Sequence, residues 1–125
     1  DYIRKLNIIR KENPALQYYK NLTFYRSDDN NIIFYGKTSP DKKNIIFVAV
    51  NLDPYHSHQS TLYFPLYEMG LKDTQTYIIH NLITGERTMM RGETFNIKLD
   101  SNDEPAAIFK IERWASREND FDYYL

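Results

Sequence analysis

Residues 51–60, "NLDPYHSHQS", crowd an Asp, two His, two Ser and a Gln between two apolar runs. On an extended strand, His56 and His58 would project to one side, as a metal pair requires, with Asp53 near enough to be a third ligand. Ser57, His58 and Asp53 could also be drawn as nucleophile, base and orienting acid. Both readings lack support. No helix-borne HExxH accompanies the pair, and His80, the remaining histidine, is far along the chain. Triad members come from separated segments, and Ser57 occupies no strained strand-to-helix elbow. The stretch therefore reads as a strand exit whose turn is set by Asp53 and Pro54, with imidazole and amide groups free to bond the chain or a neighbouring domain. No catalytic, cofactor-binding or metal-binding residue is assigned.

Other constellations are equally plain. Asp28, Asp29, Asp41, Asp100, Asp103, Glu104 and Asp120 fall in expected turns or the tail, where solvated carboxylates belong, and not in the paired geometry of a glycosidase. Four scattered glycines offer no phosphate-cradling loop. Aromatic side chains are a different matter, because a sugar stacks its apolar face on an exposed ring. Tyr55, His56 and Trp114 are the candidate glycan contacts, set against the ordinary role of aromatics as strand residues.

The elements that would carry these residues follow from periodicity. Tyr2, Ile3, Leu6 and Ile9 recur at helical spacing, with Arg4, Lys5, Arg10 and Lys11 on the other face. The expected helix ends before Pro14, which biases Asn13 away from helical angles. Its apolar face needs a partner, either the following sheet or a preceding segment. From Leu22 onward the pattern is all-β, with strands expected at 22–26, 31–38, 44–51, 60–65, 76–81, 87–91, 94–99 and 107–112. "SDDNN" at 27–31, "SPDKKN" at 39–44 and "LITGER" at 82–87 supply the turns. "IIFVAV" is apolar on both faces, which suits a central strand; "TFNIKL" alternates, which suits a strand with one face in water.

Bulk composition narrows the function classes. At 125 residues the chain is one ordinary domain, with 42% hydrophobic and 15% aromatic content, so it should build a core. A formal charge of −1 without a basic block disfavours nucleic acid. The lack of Cys fits a reducing compartment, and a cytoplasmic location is expected. No apolar run is long enough for a bilayer and the start has no secretory core. The first residue, Asp1, suggests a piece of a longer protein.

In order, the chain presents a helix ending "IRKENPALQ", a strand "LTFYR", a strand running into "VAVNLDPYHSHQSTLYFPL", then "LITGER" and "EPAAIFKIE". This order resembles the end of the maltose-1-phosphate maltosyltransferase branch of glycoside hydrolase family 13, from about Tyr2 to Glu112. The resemblance implies an all-β, antiparallel, Greek-key-like sandwich of the α-amylase C-terminal type with one N-terminal helix. Residues 1–17 would be the last helix of an upstream (β/α)₈ catalytic barrel, 18–113 the C-terminal β-sandwich and 114–125 an aromatic and acidic tail beyond the recognised pattern. The catalytic carboxylates of such enzymes lie on barrel strands absent here, so none transfers to this chain. The resemblance also implies a retaining parent that passes maltosyl units to an α-1,4-glucan. The expected partners are the barrel itself and, as candidates, an α-glucan and a second copy of the parent in a homodimer.

Overall fold

The computed structural model describes residues 2–18, 20–116 and 122–124. Helix α1 spans Tyr2–Glu12. Asn13 then turns extended, with φ −123° and ψ 100°, and a short 3₁₀ turn follows at Pro14–Gln17. The helix end is stitched down by amides. Asn13 donates to the Ile9 carbonyl at 2.9 Å and accepts from Asn44 at 3.0 Å, while Asn44 accepts from the Ala15 amide at 2.9 Å. Gln17 adds long hydrogen bonds to the Arg10 and Lys11 carbonyls, covering acceptors that the helix end leaves open.

All eight expected strands are present: β1 Leu22–Tyr25, β2 Ile32–Thr38, β3 Ile45–Asn51, β4 His58–Tyr63, β5 Thr76–Asn81, β6 Arg87–Arg91, β7 Thr94–Leu99 and β8 Ala106–Ser116. Two differences matter. Strand β4 starts at His58, so the second histidine belongs to a strand and not to the turn. Strand β8 runs on to Ser116 and pairs with β9, Asp122–Tyr124, inside the segment expected to be an aromatic and acidic tail. The larger sheet has the order β1-β2-β3-β8-β5-β6, with β9 on β8, and every pairing is antiparallel. Strands β4 and β7 form a second, two-stranded sheet.

The core lies between the sheets. Phe34, Phe47, Tyr77, Ile79 and Phe109 face inward from the large sheet, and Leu62 and Leu99 from the small one. Phe64, just past β4, sits at the centre: its ring lies 4.8–6.5 Å from those of Phe34, Phe47, Tyr77, Phe95 and Phe109. Edge-to-face packing of this kind adds to the burial of the rings themselves.

The outer face of the large sheet is apolar as well, as β3 foretells. Ile46 and Val48 pack there under Ala15 and Leu16. Toward the β1 edge the cover ends: Leu22 and Phe24 are exposed beside half-buried Ile33 and Tyr35. Helix α1 buries Ile9 but leaves Ile3 70% and Ile8 50% exposed.

Candidate functional site

The 51–60 stretch folds into an ordered knot. Asn51 ends β3 and is buried; its amide donates to the His56 carbonyl at 2.9 Å and to the Leu99 carbonyl at 3.1 Å, and its oxygen accepts from the Asp53 amide at 2.9 Å. One asparagine thus joins the end of β3, the following loop and the end of β7. Asp53 Oδ1 then accepts from the Tyr55 amide at 2.9 Å and the His56 amide at 3.3 Å, the side-chain turn expected of Asp before Pro.

The second carboxylate oxygen of Asp53 gathers both imidazoles, at 3.1 Å from His56 Nδ1 and 2.9 Å from His58 Nε2. The other nitrogen of His58, Nδ1, lies 2.8 Å from Asp29 Oδ2. Asp29 comes from the β1–β2 turn, where it also accepts from the Asn31 amide at 2.7 Å. Ser60, two residues along β4, receives the Asp29 amide at 3.0 Å and meets the Ser27 hydroxyl at 2.7 Å. The first hairpin, the 52–57 loop and the small sheet are therefore clipped together at one end of the sandwich.

Charge follows from these contacts. Asp53 is held far below the usual carboxylate range, first by the His58 hydrogen bond and then by the Tyr55 amide and His56. Asp29 is lowered too, chiefly by the Asn31 amide and then by His58. His58 is raised by Asp53 and next by Asp29.

The same geometry bears on the two chemistries that the residue types suggest. Both nitrogens of His58 face carboxylates, which leaves no lone pair directed at a metal ion. Among the described residues no cluster of three or more His, Asp or Glu takes up metal-holding geometry. A nucleophilic relay would need a hydroxyl on the nitrogen opposite Asp53, and that place belongs to Asp29. Asp29, read from sequence as a solvated turn residue, is in fact a buttress of the cluster: it is brought to His58 by sheet-on-sheet packing across 29 positions. Asn51 was missed as well, although an Asn closing an apolar strand just before Asp-Pro is a signal for side-chain turns.

The candidate glycan contacts divide. Tyr55 and His56 stand side by side on the loop, 82% and 76% exposed. The side chain of Trp114, like that of Tyr2 in the helix, lies outside the described residues, as do 117–121 of the tail. Among the described residues, no helix is long and apolar enough to cross a membrane.

Solved structures with the same fold include α-amylases. The enzyme of Geobacillus thermoleovorans, complexed with acarbose, superposes with a TM-score of 0.64 at 14% identity, over 89% of this chain and 22% of that one. An Anoxybacillus α-amylase gives 0.59 at 20% identity, over 89% and 22%. The fold is thus the antiparallel β-sandwich of α-amylase C-terminal domains, with one leading helix. Residues 24–111 match the family model described as "GLGE, C-terminal". The chain belongs to that family. Similar curated proteins are the α-1,4-glucan:maltose-1-phosphate maltosyltransferases of Rhodospirillum rubrum, 48% identical over 89% of this chain, and of Myxococcus xanthus, 36% identical over 99%. The chain spans only 16% and 18% of the length of these relatives.

Proposed function

We propose that this chain is the non-catalytic C-terminal β-domain of a cytoplasmic α-amylase-family maltosyltransferase that uses maltose 1-phosphate and an α-1,4-glucan. Its work is to pack on and stabilise the catalytic barrel, with residues 1–17 as the last barrel helix. The observation that carries this reading is the outer face of the large sheet. A sheet that already has a full core on one side keeps Leu22 and Phe24 open on the other at its β1 edge, and the helix keeps Ile3 and Ile8 exposed, Ile8 lining a cleft with Leu82 and Ile83. Exposed apolar side chains of this kind mark surfaces that another body covers. The knot around Asp53 supports the same reading, since its polar groups are spent on one another.

Assaying the 125-residue chain beside the full-length parent tests the proposal. Maltosyl transfer from maltose 1-phosphate is expected from the parent and none from the chain alone; turnover by the purified chain would overturn it. A second reading, an accessory α-glucan-binding surface, rests on the paired exposure of Tyr55 and His56. Titration with maltooligosaccharides separates the two, because only the binding surface gives a saturable change in the Tyr55 and His56 resonances.

A further inference from the structure

Two carboxylates flank one imidazole in this structure, and they do so from opposite sides. Asp29 and Asp53 reach Nδ1 and Nε2 of His58 at 2.8 and 2.9 Å, with the His58 and Asp53 side chains 18% exposed and that of Asp29 23%. A neutral imidazole has a single N–H, so one of its nitrogens would then aim a lone pair at a carboxylate oxygen. Two short contacts of this kind require two donors. The alternative, a proton on one carboxyl, is disfavoured by the amide donors to the other oxygen of each acid. Asp29 accepts from Asn31, and Asp53 from Tyr55 and His56, so both acids are solvated as anions by the backbone.

We propose that His58 is carried as an imidazolium at neutral pH, and that this cation is a pH-releasable brace locking the 52–57 loop and the first hairpin turn onto β4. The surroundings contain nothing to compete for it. From the hairpin, Asp28 is engaged by Arg26 at 3.2 Å and by the Tyr63 hydroxyl at 3.1 Å. From its own loop, His56 shares Asp53 but its side chain is 76% exposed to solvent. Across the small sheet, β7 sets Leu99 opposite His58, with Lys98 and Asp100 flanking it along the chain.

The sign of the pH effect follows. His58 is raised above its ordinary 6.5, so the brace is fully present below that value and is lost as pH rises through the raised one. The carboxylates are depressed below 3.8, so their share is present above 3.8 and is lost as pH falls through the lowered values. Between the two limits the loop is clamped. On the alkaline side one of the two contacts opens, and the part of the loop bearing Tyr55 and His56 loses its link to the hairpin turn through His58, while the Leu52 amide keeps its bond to the Asn31 carbonyl at 2.7 Å.

Long-range ¹H–¹⁵N correlation spectra of the imidazole rings, recorded against pH, test this directly. The expected result is a His58 ring protonated on both nitrogens at neutral pH, with its midpoint above 6.5. A ring with one proton at neutral pH, or a midpoint at or below 6.5, overturns the proposal. Hydrogen exchange gives a second readout. Protection of the Tyr55 and His56 amides, corrected for intrinsic rates, should fall about tenfold between about pH 6 and about pH 9, whereas His58→Gln should lack that dependence. Equal pH dependence in the two proteins would count against the brace. Should His58→Gln fail to fold, the ring titration of the unsubstituted chain decides alone.

Discussion

His80 is the counterpart of His58 and titrates in the opposite sense. It sits on β5 with its side chain 16% exposed, its Nδ1 without a hydrogen-bond partner and 3.7 Å from Glu112. Glu112 is itself drawn to Arg87 at 3.0 Å. Burial first, and then the Arg87 charge, lower the affinity of His80 for a proton. As pH falls below 6.5 the unfolded chain therefore takes up a proton that the folded chain refuses, and stability drops. His80→Gln should flatten the thermal midpoint between about pH 5 and about pH 6.5, where the unsubstituted protein loses stability, while leaving the alkaline limb to His58. A variant whose acid limb is as steep as the parent's would show that His80 does not carry it. The two histidines also mark what could be read in advance at this scale. The alternation of His56 and His58 near Asp53 was visible in the chain, because an Asp-Pro turn acts over a few residues. Asp29 and Glu112 were not, since each reaches its histidine only through pairing or packing of distant strands.

Strands tell a similar story one level up. Turn chemistry at 27–31, 39–44 and 82–87 marked where strands end, and the structure keeps those turns: Lys42 donates to the Ser39 carbonyl at 2.8 Å, and Gly85 adopts φ 82° where a side chain would be strained. The insertion of β8 between β3 and β5 had no local signal, because pairing order depends on which apolar faces must be buried together. Gly36 is a further case. It lies in the middle of β2, opposite Phe47, and a Cβ there would come within 2.8 Å of the Phe47 ring and 2.9 Å of the Tyr25 ring. Phe47 cannot withdraw, being stacked on Phe34 and set edge-on against Phe64. Gly36→Ala should therefore cost about 1–3 kcal/mol of stability, the usual range for overpacking a filled core, in spite of alanine's lower backbone entropy. Chemical denaturation measures it; an unchanged midpoint would mean that the two rings repack freely.

At the scale of the whole molecule, the uneven sandwich has one face too many. Two strands are enough to cover the inner side of the large sheet, and the outer side is left to a 3₁₀ turn, one helix and open solvent. If the parent's preceding domain sits there, Phe24 and Ile3 should behave differently in the two contexts. In the 125-residue chain both are solvent-facing, 65% and 70% exposed, so Phe24→Lys and Ile3→Lys remove no buried contact and should leave thermal stability within about 0.5 kcal/mol, while reducing self-association. In the full-length parent the same side chains would be buried, and each lysine should cost about 1.5–3 kcal/mol for the lost burial alone. Thermal unfolding of the pair of variants in both proteins checks this, together with light scattering of the isolated chain. A penalty that is as small in the parent as in the chain would move the docking face elsewhere on the sandwich, away from β1 and the helix.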